Sequence, residues 1–461
     1  MNNSAKKVNV LEHSGVAPAA AADEVAEQRL PLTYFDVLWL YFHPIKRLLF
    51  YQHPCSATHF LQTIIPNLKN SLSQTLRRYP PLAGHLFYPL DSGFPELRYL
   101  PGDSVTVTFA ESTEAFDFNY LTGDQARVAD EFHHFVPDLP QHKIDSDSGF
   151  RIIPLLAIQV TLFPETGISV GFTNNHVAGD ASSIVGFIKA WSSSSKLGHF
   201  AENLDRPLYD RSVIKDPSGK RANIFWNQMR AQIWPTRSNP PSNRVRKTFV
   251  LQSKDIKTLK DLVLAREANF SYLSSFTVTI AHVWACLAKS SAEAGEEVED
   301  AEPEYFGVAV DARSRLDPTV PATYFGNCIT LAAAESRRGE MKGKDGFFVA
   351  AELIGDVMSK KVNKKGELMR DADELLVKYA PLFSKRFYGV SGSPKFDLYD
   401  TDFGWGNPNK FEALSIDEES YSISLCKSRE FEGGLEIGVS FPERKMDAFQ
   451  AVFYDRLGIQ T

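Results

Sequence analysis

Apolar residues recur along this chain with helical and strand periods that take turns. From His59 to Tyr79, Leu61, Ile64, Ile65, Leu68, Leu72 and Leu76 share one face at helical spacing. Pro66 either starts that helix proper or kinks it. Val105–Phe109 reads as a strand, and Leu155–Phe163 and Ile168–Thr173 flank Pro-Glu-Thr-Gly (164–167), which predicts a hairpin. Ile184, Phe187, Ile188 and Trp191 then fall on one face of a helix, with Ser182 and Ser183 near its start. From about Phe200 to Asn243 the pattern fades among Pro207, Pro217, Pro235, Pro240 and Pro241, which predicts a long linker with a short helix around Asn223–Trp234.

A second series follows. Thr248–Leu251 reads as a strand, and Ile256, Leu259 and Val263 form one helical face. Phe276, Ile280, Val283, Trp284 and Leu287 form another, in a helix from about Ser274. Glu293–Glu304 lacks periodicity and is expected to be a solvated acidic loop. Phe306–Val310, Ser422–Cys426 and Leu435–Phe441 read as strands. Val349, Leu353, Ile354 and Val357 mark a further helix, and Met446, Phe449, Val452 and Phe453 the last one. The expected fold class is α/β with mixed sheets, divided into a mobile tail (1–29), a first domain (30–199), a linker (200–243) and a second domain (244–461), part of which packs with the first.

Composition narrows the function classes. A chain of 461 residues with 43% hydrophobic and 23% charged residues is globular and long enough for two large domains. Its net charge of −7 argues against a dedicated nucleic-acid or anionic-membrane binder. Cys55, Cys286, Cys328 and Cys426 are scattered and form no CxxC, so buried free thiols in a reducing compartment are expected. The polar start of the chain does not read as a signal peptide. Ile152–Phe163, the most apolar segment, contains Pro154, Gln159 and Thr161 and is too short to cross a bilayer. A soluble, cytoplasmic monomer is the expectation.

Most motifs that carry chemistry are missing. There is no GxSxG, Walker A or HExxH, and Gly389-Val390-Ser391-Gly392 fails the nucleophile-elbow spacing. His133, His134 and His142 are too few for a metal site, so no metal is expected. His176-Val-Ala-Gly-Asp180 remains. HxxxD alone arises readily by chance, but this histidine ends a buried-looking strand just before a helix. A neutral imidazole there suits a general base that takes a proton from a hydroxyl near pH 7. Asp180 either accepts from the imidazole or turns away and ties the loop by an ion pair; spacing leaves both open. Asp402-Phe403-Gly404-Trp405-Gly406 reads as a packed turn between Lys395 and Lys410, and Tyr324-Phe325-Gly326-Asn327-Cys328 again mixes small and aromatic residues.

Together with Leu30-Pro-Leu-Thr-Tyr-Phe-Asp36 and Gly433-Gly-Leu-Glu-Ile-Gly438, these three motifs resemble the plant BAHD acyl-CoA-dependent acyltransferases. Tyr324–Cys328 resembles the motif of the branch acting on anthocyanins and other phenolic glycosides. The resemblance implies two chloramphenicol-acetyltransferase-like domains with a tunnel between them. It implies that His176 deprotonates an acceptor hydroxyl, which attacks an acyl-CoA thioester directly, with acyl-CoA as co-substrate and no cofactor. It further implies that Asp180 is mainly structural and bonded to an arginine, Arg313 or else Arg315, and that Asp402–Gly406 lies on the CoA side, away from the base. Leu155–Phe163, Gly171–Asp180 and Tyr209–Pro217 look most like malonyltransferases of phenolic glucosides. A malonyl donor needs a cation for its free carboxylate, yet the first basic residue after His176 is Lys189, so that helix supplies no clamp. A hydroxycinnamoyl donor is the alternative, and a non-catalytic binding protein on the same scaffold is the reading from another class.

Overall fold

A computed structural model describes residues 8–19, 26–200, 205–216, 219–231, 243–267, 270, 272–296, 299–418 and 421–458. Parts of the expected tail (1–7, 20–25), the linker (201–204, 217–218, 232–242) and the acidic loop (297–298) lie outside the described residues.

Three sheets organise the chain. The first has six strands in the order Asn9–Val16, Val105–Glu111, Leu156–Phe163, Gly167–Asn174, Ile45–Tyr51 and Lys410–Ala413. The second has seven: Ile329–Arg337, Pro303–Asp311, Arg386–Ser391, Ser422–Lys427, Leu435–Pro442, Arg244–Leu251 and Arg127–Val128. A smaller one of five runs Gln28–Pro31, Glu96–Tyr99, His85–Pro89, Phe150–Pro154 and Lys143–Asp145. The predicted hairpin pairs Leu156 with Asn174 through to Phe163 with Gly167, both strands fully buried, polar Gln159, Thr161, Ser169 and Thr173 included.

The two large sheets trade strands. Lys410–Ala413 pairs antiparallel with Ile45–Tyr51, and Arg127–Val128 pairs with Arg244–Leu251. At the crossing, Glu412 meets Arg127 (2.6 Å) and Arg246 (2.9 Å), while Asp417 meets Arg246 (2.6 Å) and His133 (3.0 Å). The four full charges balance and each is hydrogen-bonded, which is the condition for burying them without a large penalty.

Helix Ala181–Leu197 lies on the first sheet and buries Ile184, Phe187, Ile188 and Trp191 as expected. Each such side chain contributes about 1.5–3 kcal/mol of burial free energy. Trp191 Nε1 donates to Leu68 O (3.3 Å) and Ser71 Oγ (3.2 Å), fixing this helix against Ile65–Leu76. Pro66 opens that helix directly after a wide π turn at Phe60–Ile64, so it both starts the regular part and marks a distortion, because its nitrogen cannot donate. Helix Ser275–Glu293 forms the core of the other half and buries Val278, Ile280, Val283 and Trp284.

Two expectations are corrected. Asn9–Val16, placed in a mobile tail, is the edge strand of the first sheet; its side chains are mostly exposed, so it is held by backbone pairing that leaves no apolar pattern. The acidic stretch is not simply solvated. Glu296 pairs with Arg386 (2.8 Å) and Lys445 (2.7 Å), and buried Glu304 accepts from Trp284 Nε1 (2.8 Å) and lies 3.4 Å from Arg338. No helix among the described residues is long and apolar enough to cross a membrane.

Candidate active site

His176 begins a short 3-10 turn, His176–Ala178, at the end of strand Gly167–Asn174. Asn175 caps the turn by accepting from Val177 N (3.1 Å). The imidazole is stacked on Trp39, with centroids 3.9 Å apart and planes at 11°, and meets Phe42 edge-on at 5.4 Å. Its Nδ1 is buried without a hydrogen-bond partner among the described residues, which leaves Nε2 as the nitrogen to meet a substrate. Burial lowers the His176 pKa from 6.5 to about 3, and the positive fields of Arg47 and His43 add to this. Its own carbonyl and the nearby Asn327 amide oppose the shift without bonding to Nδ1. The ring is therefore neutral near pH 7, with a lone pair to offer.

Asp180 faces away from the imidazole. It caps helix Ala181–Leu197 through Ser183 N (3.2 Å) and binds Arg313 with both oxygens, at 2.7 Å from Nη1 and 3.1 Å from Nη2. Cys328 N donates to it as well (3.0 Å). Of the two arginines proposed from sequence, Arg313 takes this place; Arg315 instead donates to Val362 O (3.1 Å) and Asp311 O (2.8 Å). Gly179 is extended, so it serves packing rather than a left-handed turn: a Cβ there would sit 2.8 Å from Ser183 Cβ.

Tyr324–Cys328 braces the same loop from the other half of the chain. Asn327 Nδ2 donates to His176 O (3.1 Å) and to Asp36 Oδ1 (3.1 Å), which also accepts from Asn327 N (2.9 Å). Gly326 N donates to Ser183 Oγ (3.0 Å), and Arg211 donates to Tyr324 Oη (2.7 Å) and Phe325 O (2.6 Å). Tyr324, Phe325 and Cys328 are buried. The sequence shows no cation beside Cys328, but the fold brings Arg313 there; burial still dominates and pushes the thiol pKa well up, which suits packing rather than attack.

Asp402–Gly406 lies at the far end of helix Ala181–Leu197. Seventeen residues at about 1.5 Å rise separate it from Asp180 by roughly 25 Å. Asp402 pairs with Lys196 (2.8 Å), not with Lys395 or Lys410, and accepts from Gly404 N (2.8 Å) and Gly406 N (2.9 Å). Both glycines adopt positive φ, +100° and +87°. Phe403 packs edge-on to Trp191 (4.9 Å) and stacks on Trp405 (5.3 Å). His133, one of the three histidines weighed for a metal, pairs with Asp417 instead (3.0 Å).

Sequence reasoning missed Trp39, Asp36 and Arg47 as neighbours of the base. Arg47 lies on strand Ile45–Tyr51 and donates from Nη1 to Asn174 Oδ1 (2.9 Å). It lines a cleft together with Ala181 and Val185 from the helix after Asp180 and with Ser391, Gly392 and Phe396.

A family profile described as the Transferase family matches residues 6–456. Malonyl-coenzyme:anthocyanin 5-O-glucoside-6'''-O-malonyltransferase of Salvia splendens is 45% identical, over 96% of this chain and 94% of its own. Phenolic glucoside malonyltransferase 1 of Nicotiana tabacum is 46% identical, over 96% and 98%. A coumaroyl-CoA:anthocyanidin 3-O-glucoside-6''-O-coumaroyltransferase of Arabidopsis thaliana is 34% identical, over 96% of each chain. The crystal structure of vinorine synthase superposes with a TM-score of 0.70 at 20% identity over 96% of each chain, which establishes the shared fold. The profile match across nearly the whole chain and the high identity of these relatives give one result: the chain belongs to the Transferase family, the BAHD acyltransferases.

Proposed function

We propose that this enzyme transfers malonyl from malonyl-CoA to a sugar hydroxyl of a phenolic, flavonoid or anthocyanin glucoside, with His176 as general base. The observation that carries it is the neutral, enclosed imidazole of His176 with Nε2 open, on a loop clamped from both halves of the chain. Malonyl is preferred to hydroxycinnamoyl because the two malonyltransferases are 45% and 46% identical and the coumaroyltransferase 34%. Nε2 takes the hydroxyl proton as the oxygen bonds to the thioester carbonyl carbon. The tetrahedral intermediate collapses, the C–S bond breaks, and the CoA thiolate recovers the proton from the imidazolium. The products are a malonyl ester and free CoA, and the balance needs no prosthetic group. A base without a carboxylate behind it fits this scheme, because the imidazolium forms beside the negative oxyanion and lasts only as long as it does.

One chain supplies His176, Asn327 and Arg313, which fits action as a monomer. The unpaired Cys55, Cys286, Cys328 and Cys426 fit a reducing, cytosolic setting. The test is a matrix of malonyl-, coumaroyl- and acetyl-CoA against anthocyanin, flavonol and simple phenolic glucosides, with products weighed by mass spectrometry. A mass gain of one malonyl group on a glucoside supports the reading. Transfer of coumaroyl alone refutes the donor, and no transfer from any donor would favour a binding protein.

A further inference from the structure

A carboxylate-bearing donor needs a cation near the thioester, and the helix after His176 supplies none. The strand beside it does. Along Ile45–Tyr51 two adjacent basic residues both border the cleft and meet opposite fates. Lys46 is neutralised by Asp138 (3.4 Å) and Glu418 (3.2 Å). Arg47 has no acidic partner among the described residues, and its one protein hydrogen bond runs from Nη1 to the neutral Asn174 side chain. Its Nε and Nη2 make no hydrogen bond among the described residues, and Arg47 lines the cleft.

Enclosing a guanidinium without a counter-charge is costly, and here desolvation alone draws its pKa down to about 10. The same charge acts on His176, so Arg47 belongs both to the cleft wall and to the electrostatic surroundings of the base. The register explains this: Arg47 stands opposite Phe172, and Asn174, which holds its Nη1, precedes His176 by two residues. A planar guanidinium with two N–H edges still free matches a carboxylate bidentately. In a malonyl thioester the carboxyl carbon lies about 2.5 Å from the carbonyl carbon, a separation set by the single intervening methylene. A cation for that carboxylate must therefore stand near the base, and Arg47 is tethered to Asn174, two residues before His176.

We propose that Arg47 is the carboxylate-recognition residue for the acyl donor, binding the free carboxylate of a malonyl thioester through Nε and Nη2 while Asn174 holds Nη1. This rests on the malonyl reading above. Arg47 then sets donor choice: it turns the carboxylate toward the strand and leaves the thioester carbonyl toward His176. Acetyl-CoA leaves the guanidinium unpaired in a desolvated site and is a poor donor for that reason.

The test varies both sides of the contact. The kcat/KM of the full-length enzyme is measured with malonyl-CoA and with its methyl ester, for wild type, Arg47→Gln and Arg47→Lys, at a fixed saturating glucoside. Wild type should prefer the free acid by about 30–5000-fold, the range for losing one partner of a desolvated charge pair. Arg47→Gln should bring that ratio to within about three-fold of one, mainly by weakening malonyl-CoA, and Arg47→Lys should fall between. An acid-to-ester ratio in Arg47→Gln equal to that of wild type would overturn the assignment and leave the malonyl reading standing. A wild type that uses coumaroyl-CoA and not malonyl-CoA overturns both. Esterification changes only the ligand, so a wild type indifferent to it also overturns the assignment, even where a variant does not fold.

Discussion

Replacing Asp180 with asparagine removes one charge from a buried cluster and changes almost no volume. The carboxylate receives both guanidinium edges of Arg313, at 2.7 and 3.1 Å, and one backbone N–H on each oxygen, from Ser183 (3.2 Å) and Cys328 (3.0 Å). An amide cannot serve both sides. Whichever way it is turned, its NH2 faces one backbone donor and one Arg313 nitrogen, and a buried donor left unpaired costs about 1–3 kcal/mol. Arg313 also loses its buried counter-charge, and breaking such a pair costs about 3–5 kcal/mol in all. Asp311, 3.2 Å from Arg313 Nη1, remains and softens the loss, which places the expected destabilisation near the lower end, about 3 kcal/mol. Against a total stability of about 5–15 kcal/mol this is large, and urea unfolding followed by tryptophan fluorescence will read it. The turnover should fall too, because the same contacts position His176 and a displacement near 1 Å can cost about 100-fold. The decisive comparison is a double-mutant cycle with Arg313→Met. A coupling of about 2 kcal/mol or more is expected; additivity within about 0.5 kcal/mol would mean that the pair does not work as a unit.

Three further outcomes are expected. His176→Ala should lower kcat by about 10²–10⁴ with the fold retained, and turnover above about a third of wild type would remove the histidine from the mechanism. Double-reciprocal plots against donor and acceptor should intersect, since attack is direct; parallel lines, or an acylated peptide after mixing with donor alone, would require a covalent intermediate. The pH dependence separates site from scaffold. His176 and His282 are both held near 3, His282 by burial and the nearby Arg456 charge, against an ordinary 6.5. Between pH 6.5 and 3 the unfolded chain therefore binds more protons, so stability is full above that window and is lost as pH falls through it. The kcat/KM of the folded enzyme should then show no acid limb near pH 6.5, and a limb there with the fold intact would show that the His176 imidazole is solvated.

The helices and strands around the site were legible because burial of one face imposes a local period. The hairpin before His176, the helix after it and the core helix Ser275–Glu293 all follow from spacing within a few residues. The edge strand Asn9–Val16 was not legible, since backbone pairing needs no apolar side chains, and neither was the buried Glu304, whose partners Trp284 and Arg338 lie 20 and 34 residues away. His176 and Asp180 stand out in the chain by residue type and position, but spacing left the direction of Asp180 open. The fold decided it by bringing Arg313, 133 residues away, onto both carboxylate oxygens. Tertiary structure alone placed Trp39 against the imidazole and joined Asp36 to Asn327 across 291 residues. It also set Lys46 among acids and left Arg47 without one among the described residues, a difference that two adjacent basic residues do not carry in sequence. Local periodicity records which face of an element is buried; which charges share that burial depends on how distant strands pair.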